Sequence, residues 1–165
     1  MFGRRDRAGR FDALARLYAD DLYRFAVWLC RDPSLADDLV QETYVRAWKA
    51  LDSLKDPDKA KSWLITILRR EYARTFERKV PPLVDIDEVI GLEHDEVTPE
   101  QQLDRARFRE RIMQLDAKYK EPLVLQVLMG MSIGEIAEAL DLTESAVMTR
   151  VFRARAQLKA RAPKE

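Results

Sequence analysis

The chain has 165 residues, enough for one medium domain or two small ones, with 47% apolar and 35% charged side chains and a formal net charge of zero. A single cysteine, Cys30, excludes an internal disulfide framework, and no apolar run approaches the roughly 20 residues needed to cross a bilayer. Only five glycines and no clear alternating pattern point to an all-α chain, organised as two small helical domains.

The N-terminal stretch MFGRRDRAGRF is basic and lacks the apolar core of a signal peptide, so a cytoplasmic protein with no direct membrane insertion is expected. The first predicted helix runs from about Arg10 to Cys30. In it Phe11, Leu14, Tyr18, Leu22, Phe25 and Leu29 repeat at spacings of three and four, which makes one packing stripe. Cys30 ends it and reads as a plain buried thiol.

Asp32-Pro33 starts the second helix, with proline at its first position, and the helix reaches about Leu51. Leu35, Leu39, Val40, Tyr44, Trp48 and Leu51 are expected inside. Asp37, Asp38, Gln41, Glu42 and Arg46 are left outside. Such a face is either simply solvated or a docking surface for a basic partner.

A polar loop, DSLKDPDKAK, leads to a third helix over roughly Lys59 to Lys79. Trp63, Leu64, Ile67 and Leu68 are its apolar part. Arg70, Arg74 and Arg78 fall at i, i+4 and i+8 on one side, with Arg69, Tyr72 and Phe76 adjacent.

Pro81-Pro82 stops that helix. The stretch that follows reads as a linker, taken as residues 81–103. Residues 1–80 carry 17 Lys/Arg against 13 Asp/Glu, residues 81–104 none against 8, and residues 105–165 12 against 8. Two basic modules are thus joined by an acidic strip, and the placement of charge outweighs its zero total. The composition of the strip predicts a solvated tether.

Thr98-Pro99-Glu100-Gln101 is a capping box with proline inside it, so a fourth helix starts there and ends near Leu115. Glu121-Pro122 begins a short apolar helix, LVLQVLM, which Gly130 closes. The segment MSIGEIAEALDLTESAVMTRVFRARAQL comes next. Ser132 and Glu135 form a second capping box, so a helix begins at Ile133, with Ile136, Ala137 and Leu140 on its apolar face. Asp141-Leu142 is a break, and Thr143 caps the next helix. There Val147, Val151, Ala154 and Leu158 make a buried stripe. Ser145, Met148, Thr149, Phe152 and Arg153 stay outside, with Arg150 and Arg155 beside them. A short helix, a tight turn and a helix exposing hydroxyl and guanidinium groups is the pattern of a helix-turn-helix. Arginine pairs bidentately with guanine edges or phosphates, and serine and threonine hydroxyls suit either. An ordinary helical hairpin with a solvated basic face is the competing reading.

No catalytic constellation is present. The one histidine, His94, lies in the acidic stretch with no cysteine or second histidine near it, and there is no phosphate-binding glycine loop. Neither an enzyme nor a cofactor, a metal or a small-molecule substrate is expected.

Three segments in this order resemble the extracytoplasmic-function (ECF, group IV) sigma factors of the sigma-70 family: ADDLVQETYVRAW (Ala36–Trp48), SWLITILRREYARTFERK (Ser62–Lys79) and the helix-turn-helix quoted above. The resemblance covers about residues 10–80 and 100–160. It implies a region 2 domain over 1–80 that binds core polymerase and recognises and melts the −10 element. It also implies an acidic linker over 81–103 and a region 4 domain over 104–165 that reads the −35 element.

By the same resemblance, Asp38, Gln41, Glu42 and Arg46 dock on the clamp helices of the largest polymerase subunit. Trp63, Arg69, Arg70, Tyr72 and Arg74 serve the single-stranded −10 element with aromatic surface and cations, a place in the core being at least as good a reading for Trp63, and the loop Leu51–Ala60 captures a flipped base. Met148, Thr149, Phe152 and Arg153 meet base edges of the double-stranded −35 element. Ser145 shares their face, and Arg150 and Arg155 stand near phosphates. The implied partners are bacterial core RNA polymerase, promoter DNA and an anti-sigma factor or other regulator. The linker threads toward the polymerase active site, where the acidic strip over 81–104, with eight acids and no Lys or Arg, imitates a nucleic-acid strand.

Some positions depart from the family. Arg70 stands where an asparagine is common, Met148 where a cation is common, and Glu144-Ser145-Ala146 where Gly-Thr often occurs. These changes bear on the promoter sequence and not on the class. The competing function is a stand-alone helix-turn-helix regulator with a helical N-terminal sensing domain. It explains the reading helix but not the acidic docking face or the arginine helix.

Overall fold

The structure, a computed structural model, describes residues 2–76 and 98–160. Arg78, His94 and most of the expected linker lie outside the described residues. The chain divides into two compact units, 1–90 and 91–165. Every regular element among the described residues is helical. None of those helices is long and apolar enough to cross a membrane.

In the first unit, α1 spans Phe2–Cys30 and so begins eight residues before the expected start. The stretch RRDRAGR has no apolar stripe to announce a helix. Its helical turns are held instead by Arg7 and Arg10, which reach across to the end of the next helix and the loop beyond it. Helix α1 ends at Arg31, whose φ of 53° takes the backbone into the left-handed region while its N–H donates to the Val27 carbonyl at 2.8 Å. Cys30 is buried, its thiol donates to the Asp32 carbonyl at 3.3 Å, and burial pushes its pKa up.

Helix α2, Pro33–Lys49, is capped by the Asp32 carboxylate, which accepts from the Ser34 and Leu35 N–H groups at 3.0 and 3.2 Å. It gives way to a 3-10 turn at Leu51–Ser53, then a second at Pro57–Lys59, then α3 at Ala60–Phe76. Helix α1 packs on both α2 and α3, and α2 packs on α3. Leu22, Phe25, Leu39, Leu51, Leu64, Ile65 and Leu68 fill the space between them. Each such side chain contributes about 1.5–3 kcal/mol by leaving water, and Phe25→Ala would cost about 3–5 kcal/mol with the cavity it leaves.

Trp48 departs from expectation: it is 40% exposed. Its ring packs edge-on against Phe11 at 5.3 Å between centroids, and the Arg7 guanidinium lies over it at 5.0 Å. The interior of α2 is closed by Ala36, Leu39, Thr43 and Ala47. Tyr44 is half-buried and donates its hydroxyl to the Ala15 carbonyl at 3.0 Å.

In the second unit, α4 spans Pro99–Met113 behind the expected capping box. The Gln101 N–H donates to Thr98 Oγ1 and the Thr98 N–H to Gln101 Oε1, both at 3.2 Å. Helix α5 spans Ala117–Val127, so Pro122 lies inside it and not at its start. There its missing N–H removes the helical bond that would run to Lys118. Burial explains the tolerance: Tyr119, Pro122, Leu123, Val124 and Leu125 are all in the core. Gly130 closes the segment at a φ of 64°, and the Met131 N–H returns to the Leu125 carbonyl at 3.0 Å.

Helix α6, Ile133–Leu140, and helix α7, Glu144–Ala160, form the helix-turn-helix. Ser132 and Glu135 cap each other at 3.1 Å in both directions. Asp141 takes a left-handed φ of 54°, and Leu142 donates back to the Ala137 carbonyl at 3.0 Å. Thr143 Oγ1 then accepts from the Ala146 N–H at 3.1 Å. A Cβ built on Gly134 would come within 3.2 Å of Glu144 Oε1, so the glycine lets the first turn of α6 approach the start of α7. Helix α5 packs on α6 and α7, and α6 packs on α7, around Leu123, Leu125, Ile136, Val147, Val151 and Ala154.

Candidate nucleic-acid and polymerase interface

The three expected surfaces lie on α2, on α3 with its preceding loop, and on α7. Along α7, Val147, Val151 and Ala154 are buried and Leu158 is half-buried, so the predicted stripe does face the core. The opposite face carries Ser145, Met148, Thr149, Phe152, Arg153 and Arg155 exposed, and Arg150 half-buried. Phe152 is 74% and Met148 55% exposed. One turn apart on a helix, they form a continuous apolar strip framed by hydroxyls and guanidinium groups. The Thr149 hydroxyl donates to the Ser145 carbonyl at 3.0 Å and keeps its lone pairs available.

Two of the arginines are braced. Arg155 Nη2 donates to Gln126 Oε1 on α5 at 2.9 Å. Arg153 meets the Tyr119 hydroxyl, and its hydrogen bond is the main reason that the phenol pKa lies below the usual tyrosine value, with Lys118 adding to the shift against the opposing effect of burial. The Lys118 ammonium also sits over the Tyr119 ring at 4.9 Å.

Along α3, Leu64, Ile65 and Leu68 turn inward. Arg70 and Arg74 are exposed, while Trp63, Arg69 and Tyr72 are half-buried. Trp63 is half-buried, short of a full core place, and its indole N–H donates to Ser53 Oγ at 3.3 Å, tying the helix to the loop before it. In that loop Leu51 and Leu54 point into the core. Asp52, Ser53 and residues 55–59 are left exposed. The Asp56 carboxylate accepts from the Asp58 N–H at 3.0 Å and shapes the second turn.

Along α2, Asp38, Gln41 and Glu42 are exposed, as expected for a docking face. Val45, 47% exposed, joins them one turn on, at i+7 from Asp38 and i+4 from Gln41. Its place on this face is hidden in the sequence, where a valine among acids looks like an inward residue. Arg46 does not stand on this face as a free cation. It is half-buried and forms an ion pair with Glu71 of α3, whose side chain is 8% exposed, and a second with Glu42 at 3.4 Å. Arg74 approaches the same Glu71 carboxylate at 3.7 Å. Arg46, Lys49, Ile67, Arg70, Glu71 and Arg74 line a cleft of about 280 Å³ between α2 and α3. Among the described residues, no three His, Cys, Asp or Glu side chains converge as metal ligands would.

The family described as Sigma-70 region 2 matches residues 14–80, and that described as Sigma-70, region 4 matches residues 105–158. The chain is 39% identical over 137 residues to the RNA polymerase sigma factor CnrH of Cupriavidus metallidurans, covering 75% of this chain and 71% of that one. It is 29% identical over 152 residues to the ECF RNA polymerase sigma factor SigM of Bacillus subtilis, covering 90% and 93%.

Among solved structures, it is similar to CnrH in complex with the cytosolic domain of CnrY, with a TM-score of 0.64 and 30% identity over 91% of this chain and 85% of that one. It is also similar to the sigma factor RpoE in complex with the anti-sigma factor NepR from Bartonella quintana. That TM-score is 0.70, with 29% identity over 92% and 95% of the two chains.

Proposed function

The chain belongs to the sigma-70 family, in its extracytoplasmic-function class, and is an RNA polymerase sigma factor; from this premise we propose how its residues carry the work. Asp38, Gln41 and Glu42, with Val45 at the C-terminal end of the patch, dock on a basic coiled coil of core RNA polymerase. The two carboxylates steer the encounter with a basic partner, and the exposed valine beside them adds an apolar contact. Arg46 acts behind this face, joining α2 to α3.

In the −10 step, Trp63 and Tyr72 offer aromatic surface, and Arg69, Arg70 and Arg74 offer charge to a separated strand. The exposed residues of the Leu51–Ala60 loop, above all Asp52, Ser53 and Lys55 to Lys59, form the rim that receives a flipped base. In the −35 step α7 lies in the major groove. Met148 and Phe152 present apolar surface to base edges, Ser145, Thr149 and Arg153 present polar groups, and Arg150 and Arg155 lie toward phosphates. The region 2 domain is taken as 1–80, the linker as 81–103 and the region 4 domain as 104–165.

The observation that carries this reading is the pairing of two matched regions, in order, with two helical units that each expose the required surface. A stand-alone regulator leaves the region 2 match and the α2 face without a role. As an initiation factor and not an enzyme, the protein acts in the cytoplasm beside polymerase. Like the CnrH and RpoE structures, which hold CnrY and the anti-sigma factor NepR, it is held by a protein regulator.

The test is transcription from sheared genomic DNA with purified protein and bacterial core polymerase, with the RNA 5′ ends sequenced. New starts sharing two upstream motifs are expected. No new starts, with tight promoter binding by the protein alone, would overturn the reading.

A further inference from the structure

Residues 1–13 precede the stretch that matches the sigma-70 region 2 family, yet α1 begins at Phe2. Its first nine residues hold four arginines, Arg4, Arg5, Arg7 and Arg10. All four line one open recess of about 790 Å³, whose far wall is Leu51 and Asp52. That wall is the first turn of the loop to which the base-capturing role is given above.

The four arginines divide by environment. Arg7 pairs with the Asp52 carboxylate at 2.9 Å, donates to the Trp48 carbonyl and stacks on the Trp48 ring. Arg10 donates to the Leu54 carbonyl at 2.6 Å. These two fix the near end of the loop and shape the recess. Arg4 and Arg5 are exposed on the same recess, one helical turn closer to the N-terminus. Against the four guanidinium groups stand the carboxylates of Asp6 and Asp52, so the recess keeps an excess of two positive charges. Its volume exceeds what one phosphate group occupies.

We propose that this recess binds the phosphodiester backbone of single-stranded DNA next to the Leu51–Ala60 loop. The proposal rests on the −10 reading above. The choice of ligand follows from three things. Arginine's planar fork matches phosphate oxygens, and it sheds water more readily than lysine. The recess is continuous with the loop, so a strand whose base enters the loop has its neighbouring phosphates within reach. Ser53, in the same 3-10 turn as Asp52, accepts the indole N–H of Trp63, so recess, loop and α3 form one connected surface. Arg7 and Arg10 are positioning residues here, and Arg4 and Arg5 are the ones that meet the phosphates.

The experiment uses holoenzyme assembled from bacterial core polymerase and the full chain, wild type or Arg4→Ala/Arg5→Ala, on a promoter that the wild type opens. Lifetimes of open complexes are measured across a salt series. With both guanidinium groups removed, the lifetime should fall roughly tenfold, and the salt dependence should flatten by about 0.7 per arginine, the single-strand value. Core binding and binding to −35 duplex should be unchanged, and Arg4→Lys/Arg5→Lys should restore most of the slope. Uncharged methylphosphonate linkages in the non-template strand, next to the flipped base, should weaken wild type and leave Arg4→Ala/Arg5→Ala unaffected. An unchanged lifetime and slope in Arg4→Ala/Arg5→Ala, with wild type opening promoters normally, would overturn the recess alone. A wild-type holoenzyme that opens no promoter would overturn the recess and the −10 reading together.

Discussion

Arg46 of α2 forms an ion pair with the buried carboxylate of Glu71 on α3, joining the helix given to polymerase docking to the helix given to DNA. Glu71 also has Arg74 at 3.7 Å, and Arg46 has Glu42 at 3.4 Å, so the pair is the centre of a chain of four charges. Removing Arg46 leaves a buried carboxylate with only the longer, solvent-exposed contact to Arg74. Arg46→Ala should therefore lower stability by about 2 kcal/mol in urea unfolding, less than a fully buried pair because the arginine is partly solvated. The double variant Arg46→Met/Glu71→Leu should recover most of that loss, since it leaves no charge unpaired. A double variant as unstable as the single one would show that the pair shapes the backbone as well.

Asp38 is exposed and makes no part of the core. Asp38→Arg should leave the unfolding free energy within about 0.5 kcal/mol of wild type and abolish binding to core polymerase. Fluorescence titration of labelled core checks this. Retained binding would move the docking surface away from α2.

Phe152 projects into solvent, so its truncation should cost the fold little. Phe152→Ala should weaken −35-dependent transcription by about 1–3 kcal/mol, a factor of roughly five to 150, with thermal unfolding unchanged. Transcription from a promoter set varied at each −35 position would show which base pair loses discrimination. Equal loss at all positions would mean that the side chain only fills space against the backbone.

Tyr119 should ionise before Tyr23 and Tyr44. The Arg153 hydrogen bond lowers the first, and burial, joined by Asp37 for Tyr23 and Asp20 for Tyr44, raises the other two. For an acid whose folded pKa lies below its unfolded value, the added stability is complete above the unfolded pKa. It is lost as pH falls through the folded one. The Tyr119–Arg153 link should thus strengthen the fold toward alkaline pH, up to about 10. Absorbance titration of the phenols, with Tyr119→Phe to assign the first step and Arg153→Ala to shift it upward, checks the order.

Much of this arrangement is legible in the sequence where a short motif has one physical solution. Thr98 with Gln101 and Ser132 with Glu135 read as capping boxes because each satisfies two orphan donors, and both form. The Asp141-Leu142 break and the Thr143 cap stand where the apolar period shifts phase. What periodicity misses is held by polar contacts over long separations. The start of α1 depends on Arg7 and Arg10 finding partners more than forty residues away. Arg46 looks outward on a helical wheel because hydrophobicity alone does not reveal a buried acid on another helix. Pro122 reads as a helix start, yet the packing of Leu123, Val124 and Leu125 outweighs one missing hydrogen bond. Of the reading face, the exposed set on α7 follows from the helical period, while the bracing of Arg153 and Arg155 does not.

That bracing changes when disorder is lost. An arginine waving in solvent must give up most of its rotamer freedom on meeting DNA, and the complex is weaker for it. Arg155, already on Gln126, and Arg153, already at Tyr119, have given up much of theirs when the domain folds. A promoter bound as proposed would then meet two side chains that already have partners. Under the proposed −35 reading, recognition on this side of α7 becomes an exchange of partners, in which a phosphate or a base must outcompete an amide or a phenol, and not the freezing of a mobile chain.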